Sequence, residues 1–432
     1  MNSTSNITSF TYGCNRWVYD DRVFESTFVT QDNLVCSRKP FRTHAVLAFM
    51  AGFTAGALAL GIVGDIFGRK KALMVSIVLH IFPNIALTFA NDFLLFIALR
   101  FLAGSSVGGL LAITFVMSME LVGPSKRMWA GILIELFWAF GCMLLALLAY
   151  LIRDWRYLNL AVSVPTVLLL SYAWIVPESA RWLITKGRDE EAEDILRKAA
   201  KVNKVELPEK LFDYETFDSE KCIPLWKICG TLKLTATSLI IFVNWMVVSM
   251  VFYGLGLNVG NLAGDIYINF FLASVAELVG FVLPLVFLNR IGRKPVYVGG
   301  ILAGGVACIL TIFPVLYGSE DQQWGTIFLW ILGKIGASTA FATIYLFSAE
   351  IFPTILRNSA IGVSSFCARV GGMIAPYITS LGDEVKGDMS KALPLIVFGM
   401  AAVGVGILAM FLPETLGRPL PESIEDAVRL GR

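Results

Sequence analysis

The sequence contains few charged residues for its length. Of its 432 residues only 16% are Asp, Glu, Lys or Arg, whereas 56% are hydrophobic, and the mean hydropathy is +0.70. A soluble globular protein needs a larger polar surface than this. The composition therefore excludes an ordinary soluble domain and predicts an all-α, polytopic protein embedded in a lipid bilayer.

Histidine and closely spaced cysteines are also scarce. The two histidines, His44 and His80, stand alone, and the seven cysteines form no Cys-x-x-Cys pair, so the sequence offers no metal site. The net charge of +2 gives no indication of a nucleic-acid partner. No nucleophile–base set and no phosphate-binding loop stands on a soluble domain, so we predict neither an enzyme nor a cofactor.

Apolar runs dominate the chain, and eleven of them reach the length of about 20 residues that a bilayer-spanning helix needs. They lie at 44–63, 72–90, 93–118, 128–151, 157–176, 231–253, 266–288, 296–316, 326–348, 359–380 and 392–412. The connections 64–71, 120–127, 289–295 and 349–358 hold nine Lys and Arg residues, against four in the alternate ones. Because positive residues favour the cytoplasmic side, these connections are predicted to be cytoplasmic and residues 1–43 extracellular.

A charged turn between two apolar runs recurs after about half the chain. Gly61-Ile-Val-Gly64-Asp65-Ile-Phe-Gly68-Arg69-Lys70-Lys71 returns, altered, as Asn289-Arg290-Ile-Gly292-Arg293-Lys294-Pro295. Two further pairs keep nearly the same offset: Glu120, seven residues before Arg127, matches Glu350 before Arg357, and Pro177-Glu178-Ser179 matches Pro413-Glu414-Thr415. Three repeated motifs in the same order predict a fold that consists of two structurally repeated halves.

These charged residues are candidates for a cytoplasmic gate. Asp65, Gly68, Arg69 and Arg293 are predicted to latch the two helical bundles together from the inside and to release them when the bundles rock. Three pairs would complete the charge networks: Glu120 with Arg127, Glu350 with Arg357, and Glu178 with Arg181. The alternative is that Arg69 and its neighbours only anchor the chain by the positive-inside rule.

The polar segment 1–43 carries two glycosylation patterns, at Asn2 and Asn6, and two cysteines, Cys14 and Cys36. If the segment is extracellular, the cysteines can pair and stabilise it by about 3 kcal/mol. The alternative is that both patterns are accidental. No signal peptide precedes the segment.

The motifs Gly61…Asp65-x-x-Gly68-Arg69-Lys70, PESARWL at 177–183 and PETLGRPLPE at 413–422 resemble the major facilitator superfamily. Together with Cys14…Trp17…Cys36 and Ile152-Arg153-Asp154-Trp155-Arg156, they resemble its organic cation/carnitine/anion transporter family. The invertebrate branch is suggested by Phe252-Tyr253-Gly254-Leu255, Asn261-Leu262 and Tyr267-Ile-Asn269-Phe270-Phe271. The resemblance implies a multi-pass plasma-membrane protein, a monomer or weak homo-oligomer, that carries small organic ions by alternating access.

The predicted organisation has two helical bundles with unequal helix counts. Residues 44–183 form the first bundle of five helices, and residues 231–412 form the second of six. Between them, 184–230 is cytoplasmic and carries a short surface helix supported by Glu193/Arg197 and Asp194/Lys198; residues 413–432 form a cytoplasmic tail. Since the resemblance implies twelve helices, we expect that 1–432 lacks the first helix, is incomplete or alternatively started, and does not transport as written.

The resemblance also implies a substrate cavity at mid-membrane between the bundles. Ionisable residues inside apolar runs are functional candidates there, and aromatic rings can hold a quaternary ammonium by cation–π contact. The predicted substrate-binding residues are Glu135, Trp138, Trp245, Phe252, Tyr253, Glu277, Lys334, Tyr345 and Arg369. By resemblance, an arginine at position 369 is typical of the anion and carnitine carriers, whereas strict cation carriers tend to have an acid.

The sequence leaves several interpretations open. Glu135 and Arg369 together would suit a zwitterion such as a carnitine-like betaine, but they can instead pair with each other as a structural bridge. A sugar-porter-like carrier of neutral solutes shares the turn and Pro-Glu signatures, although this chain offers charges rather than amides to the cavity. A third hypothesis is a regulatory membrane protein that binds a ligand or partner without transport.

Overall fold

The computed structural model describes residues 17–123, 127–206, 208, 231–318, 323–385, 387, 389–418, 420–421 and 423–429, without the side chains at 127, 128, 354, 355, 358 and 384. Within these residues the chain is helical, and the only β-type pairing recorded is an isolated bridge between Ser26 and Asp154. The predicted glycosylation positions Asn2 and Asn6, and Cys14, lie outside the described residues. The pairing of Cys14 with Cys36 therefore stays a prediction.

Among the described residues, the first half contains nine α-helices. They are α1 (Phe28–Gln31), α2 (Pro40–Phe67), α3 (Arg69–Leu87), α4 (Phe93–Leu121), α5 (Arg127–Leu151), α6 (Trp155–Ser163), α7 (Tyr172–Ile175), α8 (Ala180–Thr185) and α9 (Asp189–Asn203). A 3-10 helix, Val164–Ser171, joins α6 to α7.

The second half contains eight helices among the described residues. They are α10 (Leu232–Leu257), α11 (Ile266–Ile291), α12 (Arg293–Leu310), α13 (Ile312–Tyr317), α14 (Gln323–Ile351), α15 (Thr354–Ser380), α16 (Met389–Ala409) and α17 (Ile424–Arg429).

Eleven helical stretches in the described part of the chain are long and apolar enough to cross a membrane. They match the eleven predicted runs, so the predicted all-α membrane fold is confirmed. The predicted run 157–176 is not one regular α-helix, because it changes to a 3-10 helix around Pro165, which lacks a backbone N–H. The predicted surface helix is α9, whose first residue is Asp189. Its ion pairs Arg197–Glu193 and Lys198–Asp194 measure 2.5 and 2.6 Å.

Close backbone approach holds α2 against α4. Gly52 and Gly56 on α2 face the α4 backbone at Phe101 and Ser105, and Gly104 on α4 faces the α2 backbone at Phe49, with no room for a Cβ at any of the three. Small residues four apart allow this contact between helices in a bilayer, where no hydrophobic force drives association.

Two helix pairs form the largest contacts between the halves. Helix α2 packs against α15, and α5 packs against α11. As a result Ala139 of α5 lies within the large core cluster of the second half. Arg369 of α15 lies against Phe53 of α2 at this boundary between the halves. We call the end with the turns at 64–71 and 289–295 the cytoplasmic end, following the excess of Lys and Arg there, and the opposite end the outer end.

Candidate functional site

The first-half turn is built around Gly68, which lies between α2 and α3 with φ of 113° and ψ of 151°, a conformation open essentially only to glycine. Arg69, the next residue, pairs with Asp65 at 2.5 Å and reaches Glu120 of α4 at 3.4 Å. The Glu178 carboxylate accepts the Lys70 backbone N–H at 3.0 Å. One turn thus connects α2, α3, α4 and the start of α8.

The second-half turn repeats this arrangement. Gly292 has φ of 117° and ψ of 164°. The Arg293 guanidinium pairs with Glu350 of α14 at 3.0 Å, and the Glu414 carboxylate accepts the Arg293 and Lys294 N–H groups at 3.0 and 3.1 Å. Thr415 donates its hydroxyl to Glu350 at 2.5 Å. The internal repeat predicted from the sequence is therefore also a repeat of contacts.

Glu414 is the most heavily hydrogen-bonded carboxylate of the two turns. Besides Arg293 and Lys294, it accepts the N–H groups of Thr415 at 2.8 Å and Leu416 at 2.9 Å. Burial acts to raise the pKa of this carboxyl, but the four N–H donors outweigh burial and hold the pKa below its usual value. The carboxylate is therefore kept ionised against the N-terminus of α12.

Two of the three expected ion pairs are not found, and the third involves a side chain outside the described residues. Glu350 pairs with Arg293, while Arg357 donates to the Phe352 carbonyl at 3.3 Å, and burial lowers the pKa of Arg357. Glu178 binds backbone N–H groups, and Arg181 is exposed without an ion pair in the described part of the chain. The Arg127 side chain lies outside the described residues, and Glu120 contacts Arg69 instead. The contacts of Arg69 and Arg293 lie within one half each, so the proposed latch between bundles stays a prediction.

At mid-membrane, Lys334 and Glu277 form an ion pair. Lys334 Nζ of α14 lies 2.7 Å from Glu277 Oε1 of α11, and the side chains are 1% and 10% exposed. The same ammonium donates to the Phe252 carbonyl at 3.0 Å and lies 4.0 Å from the Phe252 ring centroid. Lys334 is therefore fully engaged within the second half, whereas Glu277 Oε2 is buried without a hydrogen-bond partner.

Aromatic rings of α10 and α14 pack beside this pair. Tyr345 meets Trp245 with centroids 4.4 Å apart, and Phe341 lies 4.7 Å from Phe252 and 5.9 Å from Tyr345. Trp245 is 1% exposed and donates its indole N–H to Ser348 at 2.8 Å. The sequence analysis missed Phe341, although it lies seven residues, or two helical turns, after Lys334 and hence on the same face of α14.

Arg369 of α15 lies on the boundary between the halves. Its guanidinium carbon is 4.0 Å from the Phe53 ring centroid of α2, and its side chain lies beside Tyr253. Its Nε is buried without an acceptor, and it forms no ion pair with a carboxylate among the described residues. It also interacts electrostatically with Tyr345. Arg369 is thus a half-buried cation with a buried Nε, held by rings and without a carboxylate partner among the described residues.

Glu135 of α5 is the acidic group opposite. It interacts electrostatically with Arg369 and with Glu277, but neither lies at ion-pair distance from it, and it is half-buried. Trp138, three residues further on α5, is 40% exposed and makes no ring contact in the described chain. The structure therefore brings together all the predicted substrate-binding residues except Trp138.

A further buried cation, Arg100 of α4, was missed by the sequence analysis. Its guanidinium carbon lies 5.3 Å from the Phe49 ring centroid and 5.8 Å from that of Phe96, and its Nε has no acceptor. The signal was present, since Arg100 stands inside the apolar run 93–118. No group of three or more His, Cys, Asp or Glu side chains in the described ranges is placed to hold a metal ion.

Two helical halves around a charged and aromatic middle define a membrane transporter of the major facilitator type. Residues 5–426 match the family model described as "Sugar (and other) transporter". Among solved structures, the major facilitator proton:xylose symporter XylE with a bound glucose analogue matches with a TM-score of 0.70 and 19% identity, over 94% of this chain and 92% of that one. The inward open conformation of XylE from E. coli matches with a TM-score of 0.71 and 18% identity, over 93% and 92%. At such identities the likeness establishes the fold alone.

Sequence relatives identify the family within this superfamily. The chain is 37% identical over 431 residues to the "Organic cation transporter protein" of Drosophila melanogaster, covering 97% of this chain and 77% of that protein. It is 34% identical over 421 residues to the human "Organic cation/carnitine transporter 2", covering 96% and 74%. The chain belongs to the organic cation transporter family of the major facilitator superfamily. It is an integral, multi-pass membrane protein, and these relatives are named as transporters rather than enzymes.

Proposed function

We propose, in contrast to the expectation above that residues 1–432 do not transport as written, that the chain carries small organic ions across the membrane by alternating access. It prefers zwitterions with a carboxylate and a substituted ammonium. The observation that carries this proposal is that Arg369 and Glu135 face the boundary from opposite halves, interact electrostatically, and are not bonded to each other. A zwitterion of suitable length satisfies both charges at once. The names of the relatives, organic cation and organic cation/carnitine transporters, support this class of substrate.

Arg369 binds the carboxylate of the substrate in this proposal. A planar guanidinium can donate two parallel hydrogen bonds to a carboxylate. The Nε of Arg369 is buried without an acceptor, which is already unfavourable. A carboxylate that binds there would supply the missing hydrogen bond and would not have to break an existing ion pair. The Phe53 ring beneath the guanidinium fixes its plane.

Glu135 and the aromatic cluster bind the ammonium group. The faces of Tyr253 and Tyr345 can contribute cation–π attraction of about 0.5–2 kcal/mol each. Lys334 and Glu277 then act indirectly, because they neutralise each other and hold α10, α11 and α14 together around the aromatic rings. We place the carrier in the plasma membrane.

Uptake of a substrate panel by matched variants tests the proposal. The panel contains a carnitine-like betaine, a quaternary ammonium without a carboxylate, a dicarboxylate and a hexose. Arg369→Ala should reduce uptake of the betaine by at least tenfold, because a charge-assisted bond of about 1.5–3 kcal/mol is lost, and should leave the quaternary ammonium within about twofold. Glu135→Gln should reduce uptake of both cationic substrates.

The exposed Arg188→Ala, which removes only a surface ion pair with Glu191, is the matched control and should leave uptake of every substrate unchanged. Equal loss of the betaine and the simple ammonium in Arg369→Ala would assign Arg369 a structural role. Uptake of the hexose alone would overturn the proposal in favour of a neutral solute.

A further inference from the structure

Residues 17–39, which we call the outer clasp, lie across the outer end of the first half. The Glu25 N–H donates to the Arg153 carbonyl at 3.2 Å, and the Trp155 N–H donates to the Ser26 carbonyl at 3.3 Å. The Phe28 ring stacks on Phe96 with centroids 3.4 Å apart. These contacts fix the clasp to the ends of α4, α5 and α6.

The clasp also contacts the second half through Tyr267, near the start of α11. The Tyr267 hydroxyl donates to the Val23 carbonyl at 2.6 Å. Its ring meets Phe24 at 5.4 Å and Tyr150, at the end of α5, at 5.6 Å between centroids. One side chain of the second half thus contacts both the clasp and the first-half helix α5.

An ion pair forms a second contact between the halves at the outer end. Lys39, at the end of the clasp and the start of α2, pairs with Asp383, which follows α15, at 2.6 Å. Helices α2 and α15 are the pair that carries Phe53 and Arg369 deeper in the membrane. Separation of the halves at the outer end requires that both this ion pair and the Tyr267 contacts break.

We propose that Tyr267 and the Lys39–Asp383 pair are the outer gate of the carrier, closed in this structure, with the outer clasp as its fixed side. The proposal rests on alternating access as the proposed function. Its contacts suit a gate because they are exposed to solvent. The Lys39 and Asp383 side chains are 37% and 41% exposed, and an exposed ion pair contributes little. The hydrogen bond from Tyr267 to Val23 is also exposed. Several small contacts hold the outer end closed. A substrate that binds the open state more tightly than the closed one can still shift the equilibrium towards the open state.

The rate at which a membrane-impermeant maleimide modifies a cysteine from outside measures gate opening. The reporter is Met50→Cys in a chain whose seven cysteines are alanine, because Met50 on α2 faces Gly372 of α15 below the gate. Tyr267→Phe removes only the hydrogen bond and should raise the rate about threefold to tenfold. Tyr267→Ala also removes the ring contacts and should raise it further. Lys39→Glu and Asp383→Lys should each raise it about twofold, and the double variant should return to the parent rate.

Matched controls separate gating from general loosening. Tyr317→Phe changes an outer-end tyrosine that is 81% exposed, and reversal of the Asp20–Arg22 pair changes an ion pair that lies entirely within the clasp. Neither should alter the rate. Unchanged rates in both Tyr267 variants at normal surface abundance, or no recovery in the charge-swapped double variant, would overturn the proposal.

Labelling needs no substrate, so the two proposals fail separately. If the gate variants raise the labelling rate while the panel shows no uptake of organic ions, the gate stands and the substrate assignment falls. If the parent chain takes up organic ions and the gate variants label at the parent rate, the gate falls.

Discussion

At the scale of single residues, the charged groups in the membrane differ in whether they already have partners. Lys334 and Glu277 are paired, and Glu135 and Arg369 face each other without bonding. Arg100 lies beside two aromatic rings and forms no ion pair within the described part of the chain. Buried charges without partners are costly and mark function, so the unpaired groups, rather than all the charged ones, are the strongest candidates for substrate contact.

Lys334→Met should destabilise the protein strongly. The change leaves Glu277 buried and uncompensated, at a cost of about 3–5 kcal/mol, and should lower the melting temperature of the detergent-solubilised protein by several degrees. The surface variant Lys198→Met removes a pair whose side chains are 75% and 62% exposed and should have little effect. The double variant Lys334→Met, Glu277→Leu should recover much of the loss. A double variant as unstable as the single one would contradict the neutralising role given to the pair.

The sequence identified four of the five charged groups discussed here that lie within the spanning helices, because an ionisable residue inside an apolar run is visible without any structure. It could not assign their partners. Lys334 and Glu277 are on α14 and α11, and nothing in the spacing along the chain tells which turn of one helix meets which turn of another. Phe53 beneath Arg369 was missed for the same reason, since its only distinction is its place on α2.

At the scale of elements, the two glycine turns determine how neighbouring helices begin and end. In each, the glycine has a positive φ and is followed directly by a helix whose first N–H groups meet the carboxylate of a Pro-Glu motif. A side chain at either glycine would strain the backbone and collide with that carboxylate.

Gly68→Ala and Gly292→Ala should each lower stability by about 2 kcal/mol or more, seen as a lower melting temperature and a smaller amount of protein at the cell surface. Gly187→Ala is a graded control, because Gly187 also has a positive φ, 69°, but nothing lies within 4 Å of its added Cβ. Gly187→Ala should lower stability by less than the changes at Gly68 and Gly292. Gly61→Ala, with open space and an ordinary φ, should cost nothing. Equal losses at 68, 187 and 292 would assign the whole effect to strain and none to the carboxylate.

The repeat in the sequence predicted the second turn from the first, and the structure reproduces it contact by contact. The partner of each Glu was predicted less well. Glu350 was expected to bind Arg357, seven residues along the chain, but binds Arg293 across helices. Proximity in sequence does not translate into proximity here, because the Pro353 break turns the chain between α14 and α15.

At the scale of the whole molecule, the eleven predicted spans are present, but their orientation rests on the Lys and Arg count. Single cysteines test it directly in a cysteine-free chain. Tyr317→Cys, at an 81% exposed outer position, should react with an impermeant maleimide on intact cells. Lys198→Cys, on α9, should react only after permeabilisation, because its exposed side chain is on the cytoplasmic side. The reverse pattern would invert the topology and place the proposed outer gate inside.

In each turn, the backbone N–H groups and the lysine side chain have separate roles. The carboxylates of Glu178 and Glu414 bind backbone N–H groups of residues 70 and 294, which every amino acid except proline provides. The side chains of Lys70 and Lys294 are therefore not needed for these bonds and remain available to orient the protein in the bilayer. Charge at these positions can be moved or removed without loosening the helix junction, so membrane orientation and junction strength can change independently in this fold.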